Sequence, residues 1–213
     1  MTAMKHRLIH GILFVLAACL SPSRAQTTYV SNSTDTPGGV IAYNTQWLAE
    51  SFITGANPDG YLFDSTMLSL SQAGTPTFSV FLYDNNANFP GTSLATLNDT
   101  GSYKFTSPGL ALTPSTTYWV VITASLPFDS SNYIAWNIDG TIPVATGGWS
   151  INTLDRADSA TSGASWGYSG GNYGLSVAAT AVVPEPSTCA LLISAILLGF
   201  RLCRRGQSSR SAC

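Results

Sequence analysis

Gly163-Ala164-Ser165-Trp166-Gly167 has the G-x-S-x-G spacing that raises a serine nucleophile on a tight strand-to-helix turn. Such a serine works only if a histidine accepts its proton. The chain has two histidines, His6 and His10, both in the N-terminal segment, and no helical pattern follows Gly167. A glycine-rich turn is therefore expected there. Paired carboxylates are the next chemistry to weigh: one acid protonates a glycosidic oxygen while the other acts as base or nucleophile. Residues 26–183 hold ten acids, namely Asp35, Glu50, Asp59, Asp64, Asp84, Asp99, Asp129, Asp139, Asp155 and Asp158. Nearly all are aspartates beside Gly, Asn, Ser or Pro, a composition of solvated turns. No catalytic residue is expected, and a glycosidase using an Asp/Glu pair stands as an alternative.

Binding chemistry is represented by two sets of residues. Asp84, Asn86 and Asn88 offer clustered oxygen ligands of the kind Ca²⁺ prefers, without the full calcium-loop pattern of the EF-hand. An ordinary turn is the expectation, with Ca²⁺ as the alternative and no other cofactor implied. Among the five tryptophans, Trp149 and Trp166 adjoin glycine-rich turns and are candidates for stacking on sugars, whereas Trp119 is expected in the core. These aromatics give a second alternative function, a lectin-like carbohydrate-binding module assisted by Ca²⁺.

The elements that must position these residues are strands. Phe78, Val80 and Leu82 alternate with Ser79, Phe81 and Tyr83, so both faces of that segment are apolar. Tyr118-Trp119-Val120-Val121-Ile122 is a β-branched and aromatic run suited to a central strand. Further strands are expected at 47–53, 62–71, 93–97, 133–138, 149–154 and 173–182. Turn chemistry separates them at Asn57-Pro58-Asp59-Gly60, Asp84-Asn85-Asn86, Asp139-Gly140 and Gly170-Gly171-Asn172. The pattern predicts an all-β fold, an antiparallel β-sandwich or jelly-roll-like domain over residues 26–180.

None of the four cysteines, Cys19, Cys189, Cys203 and Cys213, falls in that domain, so its core must hold by packing alone. Residues 26–183 carry two basic residues, Lys104 and Arg156, against ten acids, a formal charge of −8. Phosphate backbones demand clustered Lys and Arg; nucleic acid is excluded as an expected partner.

The ends read as addresses. Lys5 and Arg7 precede an apolar run over 8–20, and Ser23-Arg24-Ala25 puts small residues at the −3 and −1 positions of a cleavage site. Residues 1–25 are read as a signal peptide cut after Ala25. Lipidation at Cys19 is the competing reading, because Leu16-Ala17-Ala18-Cys19 resembles a lipobox, although Leu20 follows where a small residue is usual. At the other end, residues 181–188 form a linker containing Pro184-Glu185-Pro186, an extended segment that refuses helix. The apolar run 189–200 would span about 18 Å as a helix, short of a hydrocarbon core of about 30 Å. Arg201 can snorkel and extend the transmembrane anchor to residue 203. Residues 204–213, with Arg204 and Arg205, form a basic tail whose charge places it in the cytoplasm. The domain then lies outside the cytoplasm.

Taken together, Pro184-Glu185-Pro186, the short apolar helix and the arginines resemble the PEP-CTERM sorting signal of exopolysaccharide-producing Gram-negative bacteria. That resemblance, over about the last 30 residues, implies recognition by exosortase, a membrane cysteine protease-transpeptidase that removes the anchor. It further implies an inner-membrane precursor and a mature form at the cell surface or in the extracellular matrix, in contact with exopolysaccharide. The stretch from Phe78 through Leu97, followed by Leu112-Thr113-Pro114-Ser115-Thr116-Thr117-Tyr118-Trp119-Val120-Val121, is similar to a choice-of-anchor domain, type R. That family implies a β-sandwich ectodomain and assigns no catalytic residue. The expected role is therefore that of an exported, non-enzymatic surface or matrix protein sorted by exosortase.

Overall fold

The computed structural model describes residues 26–32 and 38–183. Among them are fifteen strands and no helix. In chain order they are β1 (Thr27–Ser31), β2 (Gly39–Ala42), β3 (Trp47–Ile53), β4 (Tyr61–Leu68), β5 (Leu70–Ala73), β6 (Phe78–Asn86), β7 (Phe89–Asp99) and β8 (Lys104–Leu112). The remainder are β9 (Thr117–Ala124), β10 (Tyr133–Asp139), β11 (Val144–Ala145), β12 (Ser150–Ser159), β13 (Gly167–Ser169), β14 (Asn172–Tyr173) and β15 (Leu175–Ala181).

Eleven strands form one sheet in the order β11-β1-β15-β4-β8-β7-β6-β9-β3-β12-β13. Its two halves meet at β7. That strand pairs with β6 through most of its length, then reaches β8 through Asn98↔Thr106 and Asp99↔Phe105. A smaller sheet, β14-β10-β2 with β5 also on β10, completes the domain. Every pairing is antiparallel.

Alternation decides which residues enter the core. Leu48 and Phe52 of β3, Val80 and Leu82 of β6, and Val120 and Ile122 of β9 supply one side. Val30, Phe63, Phe105, Leu175 and Val177 supply the other, and the small sheet adds Ile134 and Trp136. All belong to one apolar cluster, so the halves of the large sheet share a core in a β-sandwich-like arrangement. The all-β, antiparallel expectation is met.

Trp149 joins the two halves. Its ring stacks on Tyr29 at 4.8 Å and on Phe52 at 5.7 Å, while Tyr61 meets it edge-on at 4.9 Å. Such pairs each contribute about 0.5–1.5 kcal/mol beyond area burial. The seam leaves no room beside it: a Cβ on Gly55 would run into the carbonyl oxygen of Gly147 and the Tyr61 hydroxyl. Only glycine lets the backbone pass there.

Candidate functional site

Two side-chain clusters distinguish this domain, one on each face of the β3–β12 pair. Register places Glu50 opposite Arg156 and Ala49 opposite Ala157. Because successive residues point to opposite faces, Glu50, Arg156 and Asp158 turn inward, whereas Ala49 and Ala157 turn outward.

The inward cluster is polar and buried. Glu50 has no exposed surface and Arg156 is 8% exposed. Glu50 Oε2 accepts the Tyr173 backbone N–H at 2.6 Å. The Tyr173 hydroxyl donates to Asp158 Oδ1 at 2.7 Å, and the Ser169 hydroxyl donates to Oδ2 at 2.7 Å. The Arg156 guanidinium lies 4.8 Å from the Tyr173 ring centroid, and Trp136 stacks on the same ring at 4.7 Å. Arg156 Nε and Nη1 have no hydrogen-bond partner. This arrangement orders β12, β13 and β14 around one tyrosine. Its fully buried glutamate is held against backbone.

Desolvation pushes the Tyr173 phenol well above its ordinary 10.0, and the Asp158 carboxylate raises it further by repelling the phenolate and accepting its hydrogen bond. Arg156 opposes both effects. The folded state thus keeps the proton where the unfolded chain releases it. That contribution is intact below pH 10.0 and is lost as pH rises above it, by about 1.4 kcal/mol per pH unit. Tyr173→Phe is expected to be less stable than wild type at neutral pH but to show a flatter alkaline limb. Denaturant midpoints measured from about pH 8 to pH 11 check this; parallel limbs for the two proteins would refute it.

The outward cluster is aromatic. Ala49, Trp119, Val121 and Ala157 are buried beneath the partly exposed Trp47, Tyr83, Phe89 and Trp166. Two hairpins close over the small residues. In the β6–β7 hairpin, Ala87 and Asn88 take φ of 51° and 69° between the paired Asn86 and Phe89, a two-residue turn of the type that suits strand twist. Asn85 Oδ1 accepts the Trp119 indole N–H at 3.0 Å. From β13, the Tyr168 hydroxyl donates to the Asn88 carbonyl at 3.1 Å, and its ring sits 4.5 Å from Phe89. At the border of this cluster Trp47 lines an open groove of about 310 Å³ with Asn44, Phe78, Ser79, Thr123, Ala124 and Ser125.

The sequence-derived candidates are distributed unevenly over these features. Trp166 joins the outward cluster. Trp149, expected beside a turn at the surface, is 3% exposed with its faces taken by Tyr29 and Phe52. The Gly147–Gly148 turn, with φ of +61° and +77°, delivers its ring to the core. Trp119 is buried as expected, but against the outward cluster and not between the sheet halves. Asp84 accepts the Thr92 backbone N–H within the hairpin, and Asn86 and Asn88 flank its turn. Among the described residues no group of three or more His, Cys, Asp or Glu is arranged to hold a metal. Ser165 lies in a hydrogen-bonded loop, its hydroxyl 2.8 Å from that of Thr161, and a strand follows it where a nucleophile elbow requires a helix. The expectation that the acids are solvated fails at Glu50 and Asp139, 0% and 2% exposed. Trp47 and its groove were not singled out by sequence; the only local signal was an aromatic opening an otherwise buried strand. Ala25, Pro184, Glu185, Pro186, Arg201, Arg204 and Arg205 lie outside the described residues.

No protein-family model matches this chain. Nor does any curated protein match it.

Proposed function

We propose that this is an exported, non-enzymatic surface or extracellular-matrix protein, carried out by its N-terminal signal and processed by exosortase at Pro184-Glu185-Pro186. The observation that carries this reading is where strand pairing starts and stops. Among the described residues the first paired one is Thr27, two beyond the expected cut after Ala25, and the last is Ala181, three before Pro184. Beyond β15 the chain is fixed once more at Val182. Its N–H donates to the Gly60 carbonyl at 3.0 Å, and its own carbonyl accepts from Asn57 Nδ2 at 2.9 Å. Both terminal signals can therefore be removed without breaking a described strand pair. A non-enzymatic role is supported by the lack of His and Cys in residues 26–183 and by the enclosure of Glu50.

The test is fractionation with mass spectrometry of the native protein from cells with and without exosortase. With the enzyme, the mature chain should lack residues 1–25 and the arginine-rich tail. Without it, the tail should remain and the protein should stay in the inner membrane. A full-length protein soluble in the cytosol would overturn the proposal.

A further inference from the structure

The groove beside Trp47 has a chemistry that export and sorting do not account for. Its volume of about 310 Å³ is at the low end of the range for small-molecule sites. Trp47 supplies an indole wall, and Asn44, Ser79, Thr123 and Ser125 supply an amide and three hydroxyls. Ser79 and Thr123 are register partners on β6 and β9, so their side chains stand together on one face. No hydrogen bond among the described residues engages the side chains of Asn44, Ser79 or Thr123.

The Trp47 ring is closely packed by the loop at Gly163. A Cβ added at Gly163, where φ is +82°, would come within 2.7 Å of the indole Cζ3, so only glycine lets the loop approach so closely. That loop is tied to the groove's own rim. The Ser162 N–H donates to the Thr45 carbonyl at 3.1 Å, and the Ser162 hydroxyl donates to the Asn44 carbonyl at 3.0 Å. An aromatic ring fixed before binding loses little rotamer freedom when a ligand arrives.

Charge selects the class of ligand. No ionised side chain lines the groove, and the surrounding domain, with two basic residues against ten acids, is at −8. Uronates, sulfates and phosphates would meet no cation here and would be repelled at a distance. The groove beside Lys104 does hold a cation, but no aromatic lines it. An apolar peptide would leave the groove's free hydroxyls and amide without partners, which weakens binding. A sugar ring satisfies both requirements, with C–H groups for the indole face and hydroxyls for the polar wall.

We propose that the groove formed by Trp47, Asn44, Ser79, Thr123 and Ser125 is a binding subsite for an uncharged polysaccharide. Trp47 stacks against one sugar ring, and the Ser79 and Thr123 hydroxyls exchange hydrogen bonds with that sugar's hydroxyls. The full-length protein in mild detergent tests this by affinity electrophoresis through gels containing a β-glucan, a galactomannan or a dextran, with alginate as the anionic comparator. At least one neutral polymer should retard the protein, and alginate should not. Trp47→Ala should weaken retardation about tenfold or more, as expected for loss of a central aromatic contact. Thr123→Arg, which keeps the indole but fills the groove, should do the same while the thermal midpoint stays near wild type. Retardation by no neutral polymer overturns the proposal, as does stronger retardation by alginate. It is also overturned if both variants are retarded like wild type, or if Trp47→Ala abolishes retention on a phenyl matrix while glycan binding is unchanged.

Discussion

Glu50→Ala is expected to lower the unfolding free energy by about 3–5 kcal/mol, the range for a buried charge left without its partner. The carboxylate has no exposed surface. It sits across the strand pair from Arg156 and accepts the Tyr173 N–H at 2.6 Å. Truncation deprives that N–H of its acceptor and leaves Arg156, with Nε and Nη1 already unpartnered, without the carboxylate on the residue paired with it across the strands. Glu50→Gln keeps an acceptor and most of the volume, so it should lose less. Replacing both groups, as Glu50→Leu with Arg156→Met, should recover much of the loss, because an apolar pair needs no solvation. Urea midpoints of the four proteins check this order. A single Glu50→Ala variant within about 1 kcal/mol of wild type would show that the cluster contributes little.

Trp136→Ala should be comparably damaging, at about 3–5 kcal/mol. The indole is fully buried, stacks on Tyr173 with 12° between the ring planes, and donates to the Gly174 carbonyl at 2.9 Å. Its removal opens a cavity under the same tyrosine that Arg156 covers and leaves the Gly174 carbonyl without that donor. For a domain of this size the thermal midpoint should fall by on the order of 10 °C. Trp136→Phe keeps an aromatic on Tyr173 and forfeits the hydrogen bond, so its midpoint should lie between the other two. Thermal unfolding followed by near-ultraviolet circular dichroism measures both. Equal midpoints for Trp136→Phe and Trp136→Ala would assign the effect to the indole N–H and not to the stack.

These residues also mark how far local pattern carries. β3 runs from Trp47 to Ile53, as the sequence predicts, and β9 extends the Tyr118–Ile122 run by one residue before and two after. Both strands are buried on two faces, which gives an unbroken run of buried residues and not an alternating one. β8 escaped notice because it contains Ser107-Pro108-Gly109, a sequence that reads as a turn. The strand accommodates it with Gly109 at φ +85° and a register shift opposite Phe63 and Ser65, an irregularity that pairing with β4 alone reveals. The buried acids were illegible for a related reason. Glu50 Oε2 takes its hydrogen bond from a donor 123 residues away, and no window of neighbouring residues contains that information. Trp149 and Trp119 were each placed by the residues beside them, yet the direction of a ring depends on the turn or pleat that aims it. That aromatics were candidates for sugar stacking was visible in composition; the particular ring now proposed, Trp47, required the sheet that sets it beside Ser79 and Thr123.

The hand-over at β7 has a consequence for how copies of this protein can coexist. β7 meets β8 only through Asn98 and Asp99, so most of its second edge has no strand partner among the described residues, whereas the strands that end the sheet, β11 and β13, are two and three residues long. A neighbour seeking to extend the ladder at β11 or β13 finds few free amides to grip, and Tyr168 anchors β13 to the Asn88 carbonyl. Short borders of this kind are how β-proteins avoid zipping together. A second copy that paired at either end of this sheet would therefore gain few hydrogen bonds.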